Sequence, residues 1–397
     1  MRNIKFANLI KCNRLVFNVY SFSGSLLMRF ISMFIRTDPQ LILFNSFSGK
    51  AYDDSPKEIY EKMLADERFK GYKLIWAFIN IENFNTIPHA IKIGSFRYFL
   101  TALKAAGWIS NGSIELGLRF KRKRQFYLNT WHGTPIKKME LDLEKKHRPI
   151  GIPLTSKKGF TADFMCVQGA YDAKIMRRAF NLDCSKILMS GYPRNDILAH
   201  YDENVKQLLI DKLNLPQGKK IILYCPTFRD YDKEGAQNFL LNTPIDFNKW
   251  ENAIGNEYLV LFRAHYHIIN SFDIKFNNFV HDFSEYNCLN DLMIISDLLI
   301  SDYSSVYFDY SIMGKPMLCF AYDYAKYMEN RGLYIDITKE LPCEVMYDED
   351  SLLEQINELS FAEAQKDVCS FRDKYVEMFG SATSICVDKV WENIKCQ

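Results

Sequence analysis

Three short polar stretches, each closing a run of apolar residues, carry side chains suited to phosphate. Cys225-Pro226-Thr227-Phe228-Arg229-Asp230 follows Lys219 to Tyr224 (KKIILY) and offers a hydroxyl and a guanidinium. Arginine grips phosphate with a two-pronged fork. Arg263-Ala264-His265-Tyr266-His267 ends the next apolar run, and the period-2 alternation of a strand puts Arg263 and His265 on one face. In Leu298 to Tyr310 (LLISDYSSVYFDY) a buried strand breaks at Ser301-Asp302 and restarts as a helix with Ser304 and Ser305 in its first turn. A strand feeding a helix through a polar turn leaves backbone N–H groups pointing at an anion. The alternative is that Asp302 and the serines only cap the helix.

A fourth stretch is Asn129-Thr130-Trp131-His132-Gly133-Thr134-Pro135-Ile136-Lys137. His132 follows a strand and precedes a glycine, so its ring can stand free. A histidine titrates near neutrality and can take a hydroxyl proton or stabilise a phosphate oxygen. A histidine beside an aromatic can also be a satisfied structural residue. Gly191-Tyr192-Pro193-Arg194-Asn195-Asp196 reads as structural support built on a local ion-pair network. No GxxxxGK[ST] or GxGxxG string occurs, which leaves out a P-loop and a dinucleotide fingerprint. Three phosphate-friendly strand ends and one histidine loop point to a nucleoside-diphosphate donor.

The elements that must hold these residues alternate. Apolar runs at 41–47, 73–78, 90–93, 108–110, 125–133, 163–167 and 186–190 read as strands, with helices at 96–106 and from Ser55-Pro56 onward. The pattern restarts at 219–224, 258–263, 279–282, 298–301 and 316–320, with helices at 288–296 and 306–313. Such alternation predicts parallel sheets covered by helices on both faces. The expected fold is α/β: two Rossmann-like domains with a cleft between them, preceded by an amphipathic segment. The boundaries read as 1–37 for that segment, 38–205 for an acceptor domain, 206–350 for a donor domain and 351–397 for C-terminal helices. Residues 202–218, rich in charge, read as the linker.

Composition narrows the class. The 397 residues are 48% hydrophobic with a net charge of +2, so the chain is globular and signals no nucleic-acid partner. Ten cysteines without a CxxC pair suggest neither a disulfide framework nor a metal site, and fit a reducing cytoplasm. Residues 1–37 hold six Lys or Arg and no acid. The longest uncharged run there, Leu15 to Met28, is shorter than the ~20 residues of a membrane span. Its apolar residues suit a helix lying on a bilayer or one packed on the first domain.

With these residues in view, the chain resembles the CDP-glycerol glycerophosphotransferase family of teichoic-acid and capsule synthesis. The strings FNSFSGK, NTWHGTPIK, GYPRND, LYCPTFRD, FRAHYH, ISDYSSVYFDY, KPMLCFAYD and YMENRGLY carry it, in order, from Phe44 to about Asp336. The resemblance implies transfer of glycerol phosphate from CDP-glycerol to a hydroxyl of a polyprenyl-diphosphate-linked acceptor, with release of CMP. It implies a peripheral enzyme on the cytoplasmic face of the membrane, with no cofactor and no metal. Carried over, the two essential histidines are His132 and His265, one the base and the other a stabiliser of phosphate charge. Thr227, Arg229, Arg263, Ser304, Ser305, Arg331 and Lys137 would hold the substrate. Met139-Glu140 stands where the family has Leu-Gly, and Leu341-Pro342-Cys343-Glu344 where it commonly has Pro-Gly-Pro, so polyol and acceptor preference stay open. The alternatives are a CDP-ribitol donor or a sugar-nucleotide GT-B glycosyltransferase.

Overall fold

The structure, a computed structural model, describes residues 13–144, 160–227, 229, 233–234, 238–239, 244–264 and 276–395. The chain forms two units. The first comprises Met1–His132, Met139–Asp196 and Met378–Gln397, the second Gly133–Lys138 and Ile197–Glu377.

The first unit is built on seven parallel strands: β1 (Asp38–Asn45), β2 (Lys73–Phe78), β3 (Ile91–Lys92), β4 (Ala105–Ser110), β5 (Phe126–Asn129), β6 (Phe164–Val167) and β7 (Ile187–Met189). Their order is β3-β2-β1-β4-β5-β6-β7. Leu41 to Phe44 are buried on both faces of central β1, as an unbroken apolar strand of a parallel sheet must be. Its helices include α1 (Arg14–Ser32), α2 (Asp54–Leu64), α3 (Phe96–Lys104) and α4 (Ala170–Ala179). Ile59, Tyr60 and Met63 of α2 cover one face, and Tyr98, Ala102 and Leu103 of α3 the other.

The second unit repeats the plan. Its strands β8 (Lys220–Cys225), β11 (Tyr258–Phe262), β12 (Val280–Asp282), β13 (Leu298–Ser301), β14 (Met317–Phe320) and β15 (Val345–Met346) run in the order β12-β11-β8-β13-β14-β15, all parallel. A separate antiparallel pair joins β9 (Lys233–Glu234) to β10 (Asn238–Phe239). Helices α5 (Glu203–Lys212), α6 (Phe247–Ile254), α7 (Leu289–Ile295), α8 (Val306–Ser311), α9 (Tyr324–Asn330), α10 (Glu349–Glu358) and α11 (Phe361–Tyr375) follow in turn. Trp250 of α6 and Leu352, Leu353 and Ile356 of α10 pack on the same sheet face as Ile222 and Phe262.

Two details depart from the sequence expectation. The supposed linker is largely helix α5, whose first turn is capped by Asp202 accepting the Val205 N–H at 2.9 Å. The last helix, α12 (Ala382–Ile394), does not join a separate tail. It returns to the first unit, where Cys386, Val387, Val390 and Ile394 fill the face shared with α2. Asp196 anchors its start by accepting the N–H groups of Ala382 (2.9 Å) and Thr383 (2.7 Å).

Helix α1 packs on the first unit, one of the two readings of the N-terminus. Its inner face is docked on the first unit: Tyr20 Oη and Ser21 Oγ donate to the carbonyls of Leu116 and Gly117, and Arg29 Nε donates to that of Arg119. Arg122 clamps the segment after it through the carbonyl of Ile35 and the hydroxyl of Thr37. Its outer face is bare. Leu15, Val19, Phe22, Leu26, Phe30 and Met33, spaced four and three apart, are 55–75% exposed. By length and composition α1 is also apolar enough to cross a membrane, contrary to the expectation from its uncharged run.

In the second unit the loops leaving the sheet are tied to Arg229. This side chain is 2% exposed. Its Nε and Nη2 donate to the two carboxylate oxygens of Asp323 (2.6 and 2.8 Å), and its Nη1 donates to Asp302 (2.9 Å) and the Thr227 carbonyl (2.6 Å). Tyr303, Tyr322 and Tyr327 surround the guanidinium at 5.0–5.4 Å. Burial opposes the charge, but the two carboxylates outweigh it and raise the Arg229 pKa. Removing one partner of a buried ion pair costs about 3–5 kcal/mol, because the other charge stays behind unpaired. Arg229→Ala and Arg229→Lys are therefore both expected to lower the unfolding midpoint in urea strongly, since an ammonium cannot copy a fork held by two carboxylates. An unchanged midpoint in either variant would refute this role.

Candidate functional site

In the first unit the polar residues gather at the carboxyl end of the sheet. β5 ends at Asn129, and the chain turns through Trp131, which sits in the left-handed region at φ +52°. The Trp131 and His132 rings stack at 4.1 Å with 29° between their planes. His132 Nδ1 lies 3.0 Å from the carbonyl oxygen of Asn111. A carbonyl only accepts, so Nδ1 carries the proton and Nε2 is left with its lone pair. The residue retains open surface, yet the protein crowded around the ring desolvates it, and this crowding dominates. It lowers the pKa below the ordinary 6.5, against the opposing pull of the Asn111 bond and of Asp54. A ring with its pKa below 6.5 is mostly neutral at pH 7, with the Nε2 lone pair able to accept a proton.

The GYPRND turn supports this unit. Arg194 Nη1 pairs with the buried Asp54 at 2.6 Å. Together with the Asp196 anchor on α12, this matches the structural role expected for the turn.

In the second unit the expected substrate residues sit at the carboxyl ends of three neighbouring strands. Thr227 and Arg229 follow β8, Arg263 follows β11, and Ser304 and Ser305 follow β13; β8 lies between the other two. Arg263 Nη1 donates to the carbonyls of Phe283 (3.1 Å) and Tyr286, which ties one arm of its guanidinium to the turn after β12. Asp302 accepts the Thr227 N–H at 3.0 Å and the Tyr303 N–H at 2.7 Å, a turn-holding role. Ser304 Oγ accepts the Val306 N–H at 3.2 Å, while the Ser305 side chain makes no capping bond.

Lys137 belongs to the second unit although it follows β5 in sequence. It bridges to Leu333 as an antiparallel pair. The Tyr334 N–H donates to the Ile136 carbonyl (2.8 Å), and the Lys138 N–H to that of Gly332 (3.2 Å). Gly332 has φ +72°, and a Cβ there would lie 3.2 Å from the Lys138 side chain. This pairing places Lys137 beside the segment that carries Arg331. Lys137 Nζ stands 5.6 Å from the Tyr327 ring, which stacks on Tyr303 at 3.7 Å.

Arg229 and His265 stand apart from the other expected residues. The Arg229 guanidinium is enclosed and engaged by Asp302, Asp323 and Thr227, so it holds these loops together. His265 lies outside the described residues. The reading of the strand ends missed Asp323, the three tyrosines around Arg229 and the carbonyl of Asn111. Asp323 and Tyr327 stood in the KPMLCFAYD and YMENRGLY strings without a role; a backbone carbonyl leaves no trace in side-chain types. Among the described residues, no group of three or more His, Cys, Asp or Glu is placed to hold a metal ion.

Comparison with known proteins places this geometry. The family model described as CDP-Glycerol:Poly(glycerophosphate) glycerophosphotransferase matches residues 27–392. A teichoic acid poly(glycerol phosphate) polymerase of Staphylococcus epidermidis is 35% identical over 374 residues, 90% of this chain and 51% of its own length. The chain thus spans about half of that relative, and 46% of the Bacillus subtilis polymerase, which is 34% identical over 84% of this chain. A teichoic acid glycerol-phosphate transferase of Staphylococcus aureus is 34% identical over 80% of this chain and 84% of its own. A poly(ribitol-phosphate) polymerase of Bacillus spizizenii is 31% identical over 53% of this chain and 34% of its own. The solved wall teichoic acid polymerase TagF superposes with a TM-score of 0.82 at 33% identity, covering 91% of this chain and 90% of that one. A TagF variant with asparagine for a histidine, soaked with CDPG, superposes at 0.83 with 31% identity, covering 98% and 99%. The fold is α/β and GT-B-like, and the chain belongs to the CDP-glycerol:poly(glycerophosphate) glycerophosphotransferase family.

Proposed function

We propose that this protein transfers glycerol phosphate from CDP-glycerol to a hydroxyl of a membrane-linked acceptor. The observation that carries the mechanism is the Nδ1–H of His132 held on the Asn111 carbonyl, which leaves Nε2 to receive the acceptor's proton. The acceptor oxygen attacks the phosphorus that bears glycerol. The bond from that phosphorus to the oxygen shared with CMP breaks, CMP leaves with the electron pair, and the hydroxyl proton passes to Nε2. Phosphoryl transfer asks mainly for positioning and charge stabilisation. Thr227, Arg263, Ser304, Ser305, Arg331 and Lys137 are assigned to the donor phosphates and His265 to the charge that grows on them. The acceptor is a polyprenyl-diphosphate-linked saccharide or polymer, and the product is a teichoic acid or related surface polymer.

The outer face of α1 is assigned to the cytoplasmic leaflet as a peripheral anchor. Its apolar stripe is accompanied by exposed Arg14, Arg29, Arg36, Lys123 and Arg124, the combination that suits an anionic bilayer surface.

Incubation with CDP-glycerol and a lipid-linked acceptor is expected to release CMP and add glycerol phosphate in mass increments. His132→Ala should lower kcat by roughly 10²–10⁴, the usual contribution of a positioned base. Because the base must be neutral, kcat/KM should fall as pH drops through a midpoint below 6.5. No CMP release from CDP-glycerol, or faster turnover of CDP-ribitol in direct competition, would overturn the donor assignment. The anchor is tested by flotation with phosphatidylglycerol vesicles. The protein should bind these more than phosphatidylcholine vesicles, and Phe22→Asp with Phe30→Asp should abolish binding; retention by the double variant would refute the anchor.

A further inference from the structure

The geometry points to Asn111 and Asn129 as positioning residues that together fix the ring and the tautomer of His132. This inference rests on the proposed role of His132. Both amides are at most 1% exposed, at the ends of neighbouring strands β4 and β5. Each grips the backbone of a left-handed residue whose aromatic ring neighbours His132. Asn129 Oδ1 accepts the N–H of Trp131 at 2.9 Å, and Trp131 (φ +52°) is the ring stacked on the imidazole. Asn111 Oδ1 accepts the N–H of Phe47 at 2.7 Å, and Phe47 (φ +46°) stands 6.1 Å from the imidazole at 60°. A non-glycine residue held at positive φ needs surroundings that enforce it.

The remaining bonds of the two amides settle which end is which. Asn129 Nδ2 donates to the Gly112 carbonyl at 2.7 Å and to Tyr127 Oη at 3.2 Å. Asn111 Nδ2 donates to Ser46 Oγ at 3.1 Å. In each case the NH₂ faces an acceptor and the oxygen a donor, so neither amide can flip without losing bonds. Asn111 does more. Its own carbonyl is the acceptor of His132 Nδ1–H, so the side-chain ties to Ser46 and Phe47 hold in place the atom that sets the tautomer. A shift of this bracket leaves the imidazole present but misaimed.

The test compares Asn129→Ala and Asn111→Ala with wild type and with His132→Ala. The expected result is a fall in kcat of at least tenfold, with KM and the calorimetric Kd for CDP-glycerol within twofold of wild type. Proton–nitrogen correlation spectra of histidine-labelled protein, with His132→Ala identifying the signal, should show Nδ1–H in wild type and mixed tautomers in the variants. Three outcomes would overturn the inference: kcat within threefold of wild type, an unchanged tautomer, or loss of CDP-glycerol binding parallel to the loss of kcat. Wild-type turnover by His132→Ala would instead refute the base itself, and the tautomer spectrum would still judge the bracket.

Discussion

Arg229 brings a positive charge into the interior of the second unit, where a charge survives only if its partners come with it. Asp302 arrives from the turn after β13 and Asp323 from the turn after β14. The loops after β8, β13 and β14 are thereby cross-linked at a single guanidinium. Thr227 is held twice over, since its carbonyl receives Arg229 and its N–H donates to Asp302. The tyrosines extend the same node outward: Tyr303 donates its hydroxyl to Asp323 at 2.9 Å and stacks on Tyr327, whose ring meets Lys137. The groups assigned to phosphate therefore stand on a foundation that is itself ionic, and Arg229 serves the site from beneath.

Around His132 the first unit relies mainly on neutral groups, with the Asp54–Arg194 pair close enough to act on the ring. Its buried polar residues at the strand ends are amides and hydroxyls, and Asn45, Ser46, Ser110, Asn111, Asn129 and Thr130 are all close to fully enclosed. Hydrogen bonds between them give direction without fixed charge, which suits the role proposed for His132. A buried carboxylate in direct contact with His132 would stabilise the imidazolium, raise its pKa and leave less of the ring neutral at pH 7.

The sheets were legible because the central strands are apolar on both faces. Leu41 to Phe44, Ile221 to Leu223 and Leu298 to Ile300 announce burial whatever surrounds them. Helix α5 was missed because none of its residues is buried, so no apolar stripe marks it, although Asp202 was a readable cap. The enclosure of Arg229 was hidden for a different reason. A lone arginine after a strand looks solvent-bound, and the carboxylates that enclose it lie 73 and 94 residues away. The tautomer of His132 was beyond reach for a further reason: it depends on a main-chain oxygen 21 residues earlier, which any residue type would have supplied. Local chemistry reads well from a sequence; the partners that assign it a role come from topology.

The return of α12 to the first unit has a consequence for how the protein is made. Synthesis runs from the N-terminus, and domains generally fold as they emerge. A chain grown as far as Glu377 already holds every residue of the second unit, because Gly133–Lys138 was made long before. The first unit, begun earlier, still has the sheet face around Ile42, Phe44 and Leu128 open, since Val387, Val390 and Ile394 do not yet exist. The unit begun earlier is thus completed later, and until then its sheet face lacks the cover of Val387, Val390 and Ile394.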